Sequence, residues 1–127
     1  MFSRVNYPFL DEERSLPINL LYLVVAIAIM ILGILHICIT PKVFKAMTPE
    51  SIWFVSGGLA IISNATLNLA RISTKPESGM LDYFCYANNA LTLLFSLILV
   101  RVLPRPQTKL FACLMFLETL SGFLVKF

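Results

Sequence analysis

SLPINLLYLVVAIAIMILGIL, residues Ser15–Leu35, carries no charged side chain. A helix needs roughly 20 mostly apolar residues to cross a hydrocarbon core about 30 Å thick, and this stretch supplies them. Ser51–Ala70 and Tyr83–Val100 are equally free of charge. A fourth run, Leu110–Phe127, is long enough only if Glu118 is tolerated inside it. In lipid each run must be a helix, because backbone groups find no water there, and the alternation of a β-barrel is missing. The expected fold class is all-α: an integral membrane protein, a four-transmembrane-helix up-down-up-down bundle.

Composition agrees. Of 127 residues, 58% are apolar and only 13% charged, against about 25% charged in a soluble domain. Mean hydropathy is +0.84. The length suits one domain. The first run is too long for a cleavable signal peptide and follows acidic Asp11-Glu12-Glu13 rather than a basic segment. The net charge of +3 lies in the loops and suits anionic headgroups, not nucleic acid. The expected partners are the lipid bilayer and a second copy or another membrane protein. No cofactor is expected: a single histidine excludes a bis-histidine haem within one chain and supplies a zinc site poorly. No metal is expected either. Cys38, Cys85 and Cys113 show no CxxC spacing and read as buried thiols.

Punctuation sets the boundaries. Residues 1–16 read as an interfacial arm or a tail. Helix 1 is expected over about 15–39, ended by Thr40-Pro41, because the residue before proline resists the α conformation. Thr48-Pro49-Glu50 starts helix 2, about 49–72, with a cap, a first-turn proline and an acid at the positive dipole end. Thr74–Gly79 reads as a turn. Helix 3 is expected over about 80–103 and, after Pro104-Arg105-Pro106, helix 4 over about 107–127. Short connections make sequential helices antiparallel neighbours.

Lys and Arg number 10 and divide equally between the two faces. Arg4, Arg14, Arg71, Lys75 and Lys126 fall on the side of the termini. Lys42, Lys45, Arg101, Arg105 and Lys109 fall on the other. The second set is crowded into two short loops, 40–48 and 103–109, which favours that side as cytoplasmic with both termini opposite. The same five residues are candidates for headgroup or partner contact; topology-setting charge is the plainer reading.

Polar residues inside a membrane are costly and tend to face the protein interior. On helix 2, Ser56, Ala60, Asn64 and Asn68 form a stripe, with Ser63 beside it and Arg71 at its end. Helix 3 offers Asp82, Cys85, Asn89, Thr92 and Ser96, flanked by Asn88. Helix 1 offers Tyr22, Ala26, Ile29, Gly33, His36 and Thr40. Helix 4 offers Phe111, Met115, Glu118 and Gly122, with Thr119 adjacent. Gly57-Gly58 permits close helix approach. Trp53, Phe54, Tyr83, Phe84 and Tyr86 read as interfacial anchors.

The 1.5 Å rise per residue converts position to depth below the terminal face. Asn64, Asn88 and Asn89 fall at roughly 12–13 Å, Glu118 near 16 Å, Thr92 near 18 Å and His36 near 28 Å. Asn64, Asn89 and Glu118 are therefore expected in one layer. An ionised carboxylate at the bilayer centre costs at least ~2.5 kcal/mol. Glu118 is then either a proton- or cation-linked site held by the asparagine amides, or a neutral acid bonding between helices. Asn64, Asn88, Asn89 and Thr92 carry the same two readings, ligand contact or interhelical glue. His36 is a proton relay or simply an interfacial hydrogen bonder.

Three functions follow. A non-enzymatic accessory, scaffold or oligomer-forming subunit needs only packing stripes and anchors. A small proton- or cation-linked transporter or channel would use Glu118. A membrane-embedded enzyme on a lipid or quinone-like substrate would need His36 and Glu118 as acid and base, which their separation in depth opposes. No catalytic residue is assigned.

Overall fold

The computed structural model describes residues 8–74, 79–125 and 127, with side chains from residue 16 onward. Among these residues the chain is all-helical. The helices are α1 (Pro8–Val43), α2 (Pro49–Thr74), α3 (Gly79–Val102) and α4 (Pro106–Leu124).

The helix ends follow from local chemistry. At the start of α2, Ser51 N–H donates to Thr48 Oγ1 at 3.2 Å and Thr48 N–H donates to Ser51 Oγ at 2.9 Å. This reciprocal pair satisfies two orphan donors, as a capping box does. Pro106 opens α4, and the Thr108 hydroxyl donates back to the Leu103 and Arg105 carbonyls at 2.6 and 2.8 Å. The C-terminal end of α4 closes where Val125 N–H meets Ser121 O at 2.8 Å.

α1 differs from its expected bounds at both ends. Helix begins at Pro8 instead of after an arm reaching residue 16; residues 1–7 lie outside the described ones. Proline suits a first helical position. At the other end, Thr40-Pro41 does not stop the helix, which runs on to Val43. Pro41 sits in the last turn, so only one ladder bond is lost. Phe44 N–H still reaches Thr40 O at 2.9 Å, and the Thr40 hydroxyl donates to His36 O at 3.2 Å.

Leu16–Val43 of α1, α2 and α3 are each long and apolar enough to cross a membrane. α4 is shorter, at 19 residues, and carries Lys109 and Glu118. The surface is apolar: Leu21, Val24, Ile31, Leu35, Leu59, Leu91, Leu94, Phe95, Phe116 and Phe123 are exposed, while Asn64, Asn68, Arg71, Asn89, Ser96 and Glu118 are buried. Water-soluble proteins bury the first kind and expose the second.

α1 packs most extensively on α2, α3 on α4, and α1 also touches α4, so the helices form a ring in chain order. The α1–α2 seam closes around two glycines. A Cβ built on Gly58 would lie 2.5 Å from Ile37 Cγ1 and 3.2 Å from the Gly33 carbonyl, and one on Gly33 would lie 3.1 Å from Ile62 N. Small residues let backbones approach this closely. Val25, Ile29, Ala65, Phe111 and Met115 fill the apolar middle of the bundle.

The expected stripes of α1, α3 and α4 face inward. On α2, Ser56, Ala60 and Ser63 are exposed; the buried line is Ser51, Gly58, Asn64, Ala65, Asn68 and Arg71. Each four-residue step advances about 40° around a helix of 3.6 residues per turn. A strict four-residue stripe therefore drifts off the packed face within three steps, whereas 51, 58 and 65 stay in line.

Candidate functional site

The interior of the end near the α2–α3 connection is built on Arg71. It is 2% exposed, although its place one turn from the end of α2 suggested a loop charge. Its Nε donates to Asp82 Oδ1 at 2.6 Å. Nη1 donates to the Tyr22 hydroxyl at 3.3 Å and the Gly122 carbonyl at 2.7 Å, and Nη2 donates to the Tyr86 hydroxyl at 2.9 Å. Each of the other three helices therefore supplies at least one acceptor. Rings of Tyr22, Tyr86 and Phe127 stand 5.5, 4.9 and 5.3 Å from the guanidinium carbon, in cation–π range. Gly122 is placed by contact, since a Cβ there would sit 3.1 Å from the Tyr22 ring.

A ladder of amides continues from this cluster. The Tyr22 hydroxyl donates to Asn68 Oδ1 at 2.5 Å. Asn68 and Asn89 exchange side-chain hydrogen bonds at 2.8 and 2.9 Å, and Asn64 Nδ2 donates to Asn89 Oδ1 at 3.0 Å. Asn68 Nδ2 also returns to Asn64 O at 2.9 Å. An unbroken hydrogen-bonded path thus runs from Asn64 to Asp82 through Asn89, Asn68, Tyr22 and Arg71. Asp82, at 30% exposure, is its outer end.

Glu118 is fully buried on the same face of α4 as Gly122, one turn along. Arg71 acts on it electrostatically. The asparagine amides do not hold it: neither carboxyl oxygen has a hydrogen-bond partner among the described residues. Asn64 Oδ1 and Asn88 Nδ2 are unpartnered in the same sense. Asn64, Asn68 and Asn89 bond one another instead.

The remaining candidates lie elsewhere. His36 is half-buried, its Nε2 is 3.0 Å from the Phe54 carbonyl, and its ring stacks on Phe54 at 3.9 Å. It stands fourteen residues from Tyr22, about 21 Å of helix rise, so it does not approach Glu118. Thr92 is half-buried. Lys42, Lys45, Arg101, Arg105 and Lys109 are exposed. Lys45 lines an open groove of about 360 Å³ with Phe44, Met47 and Ile52. Only Cys85 of the three cysteines is buried; Cys38 and Cys113 face outward, and all three are free. Trp53 and Tyr83 are exposed, as anchors should be, but Tyr86 turns inward to Arg71 and stacks on Phe123 at 4.8 Å. Among the described residues, no three His, Cys, Asp or Glu side chains gather as a metal would require.

Tyr22, Arg71, Asp82, Tyr86 and Gly122 are the residues that position alone did not single out as a site. One signal was present: Arg71 follows Asn64 and Asn68 at steps of four and three, on the same helix face. No protein-family model, curated protein or solved structure matches this chain.

Proposed function

We propose that the chain is an integral membrane protein whose four helices, α4 included, run up-down-up-down through the bilayer, and that it serves as a non-enzymatic subunit: an accessory, scaffold or oligomer-forming component. Contact partners support the topology. Residue numbers fall on α1 as they rise on α2, from Ile37–Gly58 to Tyr22–Asn68, and α2–α3 contacts run the same way, from Asn64–Asn89 to Arg71–Asp82. The loops 40–48 and 103–109, rich in exposed cations, are assigned to the cytoplasmic side.

The observation that carries the functional reading is the engagement of Arg71 with all three other helices. A charge poised for a substrate keeps its donors open; this one uses four of its five N–H groups to tie the helices together. The partner is then a second copy or another membrane protein, met through the apolar outer faces. A second reading, proton- or cation-linked transport, is favoured by Glu118, buried without a hydrogen-bond partner. Proteoliposomes enclosing a pH-sensitive dye separate the two. The subunit reading expects dye traces identical to protein-free vesicles under an imposed gradient, and photobleaching steps in dilute nanodiscs that report more than one copy or a defined partner. A flux that Glu118→Gln abolishes would overturn it.

A further inference from the structure

Arg71 bonds one carboxyl group, Asp82, and acts electrostatically on a second, Glu118. Asp82 takes Nε at 2.6 Å, at the half-exposed edge of the cluster. Glu118 lies on the inner side, fully buried, with both oxygens unpartnered among the described residues. Nη1 already rests on the carbonyl of Gly122, and Glu118 is four residues, about 6 Å of rise, further into the bundle on the same face. The Asp82 contact uses a single nitrogen, although a guanidinium fork can hold a carboxylate with two. One Nη2 hydrogen has no partner among the described residues.

We propose that Glu118 is a proton-binding site whose occupancy decides which carboxylate Arg71 pairs with. With the proton on Glu118, the cluster of Arg71, Asp82 and Glu118 is neutral and Arg71 stays on Asp82. When the proton leaves, the cluster carries one net negative charge, and the new carboxylate is the one with no water to solvate it. Arg71 then turns inward to Glu118. Asp82 can release it because its exposed edge accepts hydrogen bonds from water. The proton departs to bulk water as hydronium or to a buffer base, the Arg71–Asp82 hydrogen bond is exchanged for one to Glu118, and no other covalent bond is made or broken. A metal cation suits the site less well, because Arg71 already places a positive charge beside it.

The titratable and charged groups that act on Glu118 from the packed helices are Tyr22 of α1, Arg71 of α2 and Cys85 of α3; Asp82 and Tyr86 of α3 bond Arg71. Tyr22 and Tyr86 accept from Nη1 and Nη2, and the second Nη2 hydrogen is the one open to Glu118. The exchange takes place within one chain and does not require that protons cross the membrane. It therefore stands or falls apart from either functional reading.

The test is a pH titration of the whole chain in lipid, read in two channels. Infrared difference spectra should show a protonated-carboxyl band that disappears as pH rises and is missing in Glu118→Gln. The ¹⁵N resonance of Arg71 Nε should shift with the same midpoint in the wild type and stay fixed in Glu118→Gln. Asp82→Asn should lose the Nε shift and move the disappearance of the infrared band to lower pH, because Glu118 is then the one carboxylate left to balance Arg71. A wild-type carboxyl band that never changes with pH would overturn the proposal, as would an Nε resonance indifferent to it. Both readouts come from the wild type, so a variant that fails to fold leaves the result decisive.

Discussion

Replacing Arg71 with methionine removes the centre of the cluster while keeping an unbranched chain of similar length. Four interhelical hydrogen bonds disappear, at about 0.6 kcal/mol each on the average for membrane helices. Loss of the cation–π contacts with Tyr22, Tyr86 and Phe127 adds on the order of 0.5–1 kcal/mol apiece. The Gly122 carbonyl, in the last turn of α4, loses its Arg71 bond. Against these stands the desolvation cost of the guanidinium, which no longer has to be met. Asp82 needs no full penalty, since water reaches it. The balance is a loss of roughly 2–4 kcal/mol. Cys85 provides the assay: its thiol is fully buried and meets the Leu67 carbonyl at 3.6 Å. With Cys38 and Cys113 changed to serine, the rate of Cys85 labelling reports opening of the bundle. Arg71→Met should raise that rate roughly 30- to several-hundred-fold. Adding Asp82→Leu should recover part of the loss, because the carboxylate left behind is removed as well. An increase under about fivefold would show that the cluster does not hold the helices together.

Other expectations follow from single contacts. Gly58→Ala should cost about 1–3 kcal/mol through overpacking against Ile37 and the Gly33 backbone. Gly57→Ala, whose nearest neighbour would be His36 Nε2 at 3.7 Å, should be neutral or slightly stabilising; thermal melts of the pair in micelles give the comparison. Asn89→Leu breaks three side-chain bonds, and Asn64→Leu breaks one, so the first should lower the melting temperature more than the second. Gly122→Ala should speed Cys85 labelling modestly, since the Tyr22 ring must yield a few tenths of an ångström.

Much of this arrangement was legible in the residues. Thr48-Pro49-Glu50 announced a helix start, the inward faces of α1, α3 and α4 followed from their spacing, and Asn64 meets Asn89 as their similar depth implied. Arg71 escaped for a physical reason. A long cationic side chain one turn from a helix end reaches outward water and inward acceptors about equally well. The choice depends on a tyrosine 49 positions earlier and a carbonyl 51 positions later, and a backbone carbonyl leaves no mark in a sequence. Glu118 was visible as a buried acid, but its isolation was not, because the asparagines had each other. Pro41 misled because a helix breaker placed in the last turn has little left to break.

The reach of Arg71 along the chain also orders its assembly. A ribosome delivers the chain from its N-terminus, so Tyr22 is in place before Arg71 emerges. Asp82 and Tyr86 follow within 15 residues, whereas the Gly122 carbonyl trails by 51. Until the last segment arrives, a cation destined for the interior has only part of its coordination. Without α4 one of the four Arg71 bonds, that to the Gly122 carbonyl, is unmade, and the final helix completes the set.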